Sequence, residues 1–196
     1  MMNRWLARLI AAMLVLLLLI VLVSWFLSAA TAGGVHSLLS AEGIRWLCSH
    51  MAQMLGGAPL VYLLTVSMAA GCLWQSGLLQ ALFRPATYRQ RMALRLSLVP
   101  ACLGVALLVW FCAVPHAVLL SATGHLWPSP FSRALVPLLS GLLMVVASCY
   151  GLASRTFSSF SDVVQAVCWG LSKASPLIVL CMLVIQIYES LCYVFQ

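Results

Sequence analysis

Residues 5–30 read WLARLIAAMLVLLLLIVLVSWFLSAA, a run broken by a single charge, Arg8. A helix needs roughly 20 predominantly apolar residues to cross the hydrocarbon core of a bilayer, and this stretch supplies them. A signal peptide is the rival reading, since Ala30-Thr31-Ala32 has the small-residue pattern of a cleavage site. The apolar part of a signal peptide runs only about 7–15 residues, and this run is longer. The stretch is therefore read as an uncleaved transmembrane helix.

The rest of the chain repeats that character. Of 196 residues, 64% are hydrophobic and 7% charged, with a mean hydropathy of +1.11. Soluble domains run near 45–50% apolar and about a quarter charged, so the excess must face lipid. Four more spans follow, at 58–83, 96–115, 134–154 and 176–195. Two amphipathic stretches, 37–55 and 161–173, read as surface helices. In the first, Ser37 or Ser40 is positioned as a cap, Glu42 falls in the first turn, and Ile44, Leu47, Met51 and Met54 share a face. In the second, Ser161-Asp162 precedes Val163, Val164, Val167 and Leu171. The expectation is an all-α, polytopic membrane helical bundle of about five transmembrane helices, forming one membrane domain over 1–196. Whether 161–173 lies on the membrane or joins a longer, Pro176-kinked final helix stays open.

The net charge of +7 does not mark a nucleic-acid partner, because the cations sit in short connections beside the spans. With the N-terminus in the cytoplasm, the inner segments hold Arg4, Arg8, Arg84, Arg89, Arg91, Arg95, Arg155 and Lys173. The outer segments hold Arg45 and Arg133. This is the asymmetry of the positive-inside rule, and five spans then place the C-terminus outside. Trp5, Trp46, Trp110 and Trp127 stand near helix ends, as an interfacial aromatic belt requires. The connection 116–133 is rich in turn formers, with Thr123-Gly124 and Trp127-Pro128-Ser129-Pro130.

Candidate chemistry is sparse. Glu189 is the one acid inside a span, and an intramembrane carboxylate is a functional hypothesis by default, here a protonation site near the outer interface. Gln186, three residues earlier, is a candidate for an interhelical hydrogen bond. Ser67-xxx-Gly71 and Ala147-xxx-Gly151 have the small-residue spacing that lets membrane helices approach closely. His36, His50, His116 and His125 lie near outer helix ends and read as interfacial rather than as a metal site, which needs three or four convergent ligands. The eight cysteines include no C-x-x-C pair, and most fall within apolar runs, where cysteine acts as a small hydrophobe. Three acids leave acid–base catalysis little to work with. No catalytic residue, metal or cofactor is expected, and the chain does not read as an enzyme.

Several segments nevertheless form an ordered series. Residues 37–46 (Ser-Leu-Leu-Ser-Ala-Glu-Gly-Ile-Arg-Trp), Ala58-Pro59-Leu60 and Ser76-Gly77-Leu78-Leu79 resemble the opening of the AbgT family. Arg89 to Trp110 resembles that family's basic entry into a mid-chain helix. Thr123-Gly124, Ser129-Pro130-Phe131, Val136-Pro137, Tyr150-Gly151, Asp162-Val163-Val164 and Gln186 follow in the order of a later block. The resemblance implies a bacterial inner-membrane protein related to transporters of p-aminobenzoyl-glutamate and exporters of sulfonamide-like antimetabolites. It also implies departures: full-length members are over twice as long. The first helical hairpin is skipped between Leu79 and Arg89, and the second would follow Gln186. Those hairpins carry the family's substrate and ion chemistry, so no family binding residue is carried over and the substrate-binding residues are unknown. Two readings follow. One is a non-transporting scaffold or accessory subunit that pairs, within the lipid bilayer, with another membrane protein or with a second copy as a homo-oligomer. The other is a minimal transporter of p-aminobenzoyl-glutamate or a related amphipathic anion, with Glu189 supplying proton coupling.

Overall fold

A computed structural model of the chain describes residues 4–30, 38–83, 87–113 and 130–195. Among these the fold is all-α: α1 (Arg4–Ala30), α2 (Ala41–Leu55), α3 (Ala58–Ser76), α4 (Leu78–Phe83), α5 (Tyr88–Ala113), α6 (Pro130–Ala153) and α7 (Phe160–Phe195). Five of them, α1, α3, α5, α6 and α7, contain stretches long and apolar enough to cross a membrane. The loop read at Thr123-Gly124 and Trp127-Pro128-Ser129 lies outside the described residues, as do Ser37, His36, His116, His125 and Arg84. The contacts gather into two units, one formed by Met1–Val61 with Ser175–Gln196 and the other by Tyr62–Ala174.

In the first unit, α1 buries a single described residue, Ser24. The Ser24 hydroxyl donates to the Val21 carbonyl at 2.9 Å and accepts the Leu38 amide at 3.3 Å. That second bond ties α1 to the turn entering α2. Ser40 caps α2: its Oγ accepts the Gly43 amide at 3.1 Å, and Glu42 stands in the first turn, where a negative charge complements the helix dipole. The side of α2 that packs within this unit carries Gly43, Trp46 and His50. Of the apolar face read on this helix, Ile44 is exposed, Leu47 is half-buried, and the side chains of Met51 and Met54 lie outside the described residues.

The second unit corrects the span read at 58–83. The helix stops at Ser76 and restarts at Leu78, because Gly77 takes a left-handed backbone (φ 71°). Glycine adopts that conformation at no steric cost, which is why it ends helices. The Ser76 Oγ accepts the Leu78 amide at 3.4 Å, and the Ala81 amide donates to the Gly77 carbonyl at 3.0 Å, so α4 begins at once. α5 starts earlier than the span read from Leu96: Thr87 opens it, with its amide donating to Gln90 Oε1 at 3.2 Å. Arg89, Arg91 and Arg95 therefore lie in its first two turns. α6 ends at Arg155, in a left-handed conformation (φ 60°), with its amide on the Leu152 carbonyl at 3.2 Å, a left-handed helix C-cap.

The stretches read separately at 161–173 and 176–195 form one helix, α7, of 36 residues with Pro176 inside it. Asp162 secures its start by accepting the Ser158 amide and hydroxyl, both at 2.7 Å, and the Ser159 amide at 3.2 Å. Proline is tolerated within membrane helices because neighbouring groups re-satisfy the freed carbonyl. Here it ends no helix, and it stands just past the point, between Ala174 and Ser175, where the two units divide.

The Gly77 break yields a direct test. An added Cβ there would meet nothing within 4 Å, so any loss must come from the backbone. Gly77→Ala is expected to lower stability by about 1 kcal/mol and Gly77→Asn by less, read from denaturant-induced unfolding in mixed micelles. Equal stability of Gly77→Ala and the parent would mean that the break is not held in solution.

Candidate functional site

Helices in lipid gain little from the hydrophobic effect, since acyl chains are as apolar as leucine. Close backbone approach takes its place, and small residues permit it. In the second unit α3 and α7 meet where Gly71 faces Gly170. A Cβ on Gly71 would come within 2.7 Å of the Gly170 Cα and would also strike the Ala166 carbonyl oxygen. One on Gly170 would come within 2.8 Å of the Gly71 Cα and strike the Ser67 carbonyl oxygen. Ser67 is buried and turns its hydroxyl back to the Leu64 carbonyl at 2.8 Å. The crossing thus draws on Ser67 and Gly71 from one helix and on Ala166 and Gly170 from the other. The second pair has the same i, i+4 spacing as the first and was not singled out from the sequence.

Ala147 and Gly151 occupy the neighbouring layer. Ala147 is fully buried in a cluster with Cys72, Phe157, Val163 and Ala166. Gly151 lies under the Phe157 ring, 3.1 Å from ring Cγ to where a Cβ would stand. A second buried cluster joins Ala81 of α4, Ala93 of α5 and Tyr150 of α6. The packed layers are therefore built mainly from alanine, glycine, serine and cysteine, with Phe157 and Tyr150 as the large members.

Glu189 lies in the first unit, half-buried on α7, and lines a cavity of about 530 Å³ with His50, Tyr188, Gly57 and Pro59. No hydrogen bond or ion pair of Glu189 falls among the described residues. His50 is held from behind: its Nδ1 lies 3.3 Å from the Trp46 carbonyl oxygen and 3.3 Å from Ser49 Oγ, and its ring stacks on Trp46 at 4.6 Å. Trp46 in turn stacks on Tyr193 at 4.4 Å. An acid and an imidazole, 139 residues apart in the chain, thus share one cavity wall. Gln186 is half-buried one turn before Glu189, and no side-chain hydrogen bond of it falls among the described residues.

The buried polar side chains among the described residues are Ser24, Ser67, Ser76, Ser97, Ser140 and Ser190. Five return their hydroxyls to carbonyls of their own helix. Besides Ser24 and Ser67, Ser76 donates to Leu73 at 3.2 Å, Ser97 to Leu94 at 2.9 Å, and Ser140 to Val136 and Pro137 at 2.8 and 3.0 Å. Such bonds satisfy a polar group in an apolar surrounding without a second molecule.

A family model described as the AbgT putative transporter family matches residues 84–192, more than half of the chain. The segments 37–46, 58–60 and 76–79 lie before the matched range. No curated protein and no solved structure matches the chain.

The α3–α7 crossing and a control glycine make a paired test. Gly170→Ala forces a methyl between two backbones and is expected to cost about 1–3 kcal/mol. Gly141→Ala meets nothing within 4 Å and is expected to be neutral or to gain up to about 1 kcal/mol from helix propensity. Thermal aggregation midpoints in one detergent separate the two; a Gly170→Ala as stable as Gly141→Ala would remove the close crossing.

Proposed function

Because the chain belongs to the AbgT putative transporter family, and is thereby a multi-pass, transporter-related membrane protein, we propose that it serves as a non-transporting scaffold or accessory subunit. It presents helix faces, within a bacterial inner membrane, to a second copy or to another membrane protein. Its N-terminus is on the cytoplasmic side, where the arginine-rich segments collect, and its C-terminus is periplasmic.

The observation that carries this reading is the fate of the buried polar groups. Transporter sites form near mid-membrane from broken helices whose free termini and side chains meet a charged solute. Here five of the six buried serine hydroxyls among the described residues are turned back onto their own helices. The described helix break, at Gly77, restarts in the next residue. Between Leu79 and Arg89 there is also too little chain for a helical hairpin. Helix faces remain in supply: α1 exposes Leu14, Val15, Leu18, Leu22 and Phe26 and buries Ser24 alone. Such a helix offers packing surface to a neighbour.

A second reading has its own support. Glu189 borders a cavity with His50, an arrangement that favours a minimal, proton-coupled transporter of p-aminobenzoyl-glutamate or a related amphipathic anion, in which the carboxylate takes up and releases the proton.

Two measurements separate the readings. Purified from its own membranes in mild detergent, the protein is expected to run as a stable complex larger than one chain, and Glu189→Gln is expected to leave that complex intact. A strict monomer without partners would sink the scaffold. In proteoliposomes, flux of p-aminobenzoyl-glutamate under an imposed proton gradient is expected to equal that of empty vesicles. Flux above that background, abolished by Glu189→Gln, would establish the transporter instead.

A further inference from the structure

The Gly77 break opens a cavity of about 790 Å³ within the second unit. Its polar lining is neutral: the amides of Gln75, Gln80 and Gln90 and the hydroxyls of Tyr150 and Thr156. Tyr150 is 1% exposed, so part of the wall belongs to the packed interior and is fixed there by Ala81 and Ala93. Trp74 and Phe83, which also line the cavity, are 70% and 80% exposed, giving it an aromatic collar toward the surroundings. Aromatic side chains hold such positions at the headgroup level of a bilayer.

Cations stand at the same end. Arg89 and Arg91 flank Gln90 in the first turn of α5, and Arg155 directly precedes Thr156. The cluster of Ala81, Ala93 and Tyr150 packs the start of α5 against the end of α6. This brings Arg89, one turn before Ala93 on the same face of α5, and Arg155 to the end of the unit that holds the cavity, outside its lining, while Arg91 falls on the other face of α5. All are exposed, and none has an ion pair among the described residues. The acid nearest Arg155 along the chain, Asp162, is engaged by Ser158 and Ser159 at the start of α7. Two cations in the first turn of α5 also oppose its helix dipole, and an external anion relieves that.

From these features we infer that the cavity seats the headgroup of an anionic, hydroxyl-bearing phospholipid of the phosphatidylglycerol type. The phosphodiester meets Arg89 and Arg155 through charge-assisted hydrogen bonds. The glycerol hydroxyls meet the amides of Gln75 and Gln80 and the Thr156 hydroxyl. The acyl chains descend past Trp74 and Phe83. Basic pockets at the headgroup level recognise anionic lipids in this way. A soluble glycerol phosphate shares the polar chemistry but would leave the aromatic collar unused, so the lipid is the occupant. This site does not depend on whether the chain is a scaffold or a transporter.

Native mass spectrometry of the full chain, titrated with lipids of identical acyl chains, tests it. Phosphatidylglycerol is expected to bind about tenfold more tightly than phosphatidylcholine, which has the same phosphodiester but sets a quaternary ammonium beside the arginines and offers no hydroxyl to the amides. Arg89→Gln with Arg155→Gln, both exposed positions, is expected to bring that ratio close to one while helix content and elution volume stay unchanged. Gln75→Leu with Gln80→Leu is expected to remove the preference for phosphatidylglycerol over phosphatidic acid and to keep the preference for anions. Equal binding of phosphatidylglycerol and phosphatidylcholine would overturn the inference, as would a ratio untouched by the arginine pair. Displacement of the lipid by equimolar glycerol 3-phosphate would overturn the lipid assignment.

Discussion

Inside hydrocarbon a backbone amide or carbonyl has no water to turn to, and every one must be satisfied by the protein itself. Much of this structure follows from that single demand. It selects helices, and it obliges the serines that enter the buried layers to fold their hydroxyls back onto carbonyls one turn away. It also accounts for the form of the one described break between closely spaced helices. At Gly77 the ladder is interrupted for a single residue, with Ser76 taking the next amide through its side chain before α4 resumes. Once the backbone is satisfied locally, the remaining question is how helices adhere, and the answer here is small residues. Gly71 against Gly170, with Ser67 and Ala166 beside them, brings two backbones together at a distance that any added methyl would violate.

Family membership and this economy of polar groups bear on function together. Membership places the chain among transporter-related membrane proteins. Recognition of a charged solute asks for polar groups that are not already spent, and the described interior spends its serine hydroxyls internally. Other polar groups line two cavities, the one bordered by His50 and Glu189 and the one at the Gly77 break. The two differ in kind. The first holds an acid and an imidazole; the second holds neutral amides and hydroxyls, with arginines at the same end of its unit.

How much of this could be read from the residues alone depended on the range of the interaction. Long apolar runs betray themselves locally, so the all-α class and the number of long apolar helices were legible. The break at Gly77 was not, because average hydropathy is blind to the sign of a backbone angle, although the Ser76-Gly77 pair carried a helix-ending signal. At Pro176 the sequence left two readings open, a separate surface helix or one long kinked helix, because apolar spacing is the same in both; the continuous α7 has the second form. Apolar spacing on α2 gave no sign that Trp46 stacks on Tyr193, a partner from the far end of the chain. The candidate site was less legible still. Spacing singles out Ser67 and Gly71 on one helix, but nothing on that helix points to Ala166 and Gly170. His50 and Glu189 reach a common wall only through folding.

α1 has one fully buried residue among those described, Ser24, whose hydroxyl both donates to Val21 and accepts from Leu38. In line with it a single stripe, Leu6, Ile10, Met13, Leu17, Ile20 and Leu27, is half-buried, and the other faces of the helix are exposed. On those exposed faces leucine, isoleucine, valine and methionine are interchangeable, in any order, provided the hydrophobic length is kept. Divergence between related sequences should accordingly run fast there in residue identity and slowly in lipophilicity, so that an alignment would lose those faces long before the membrane did.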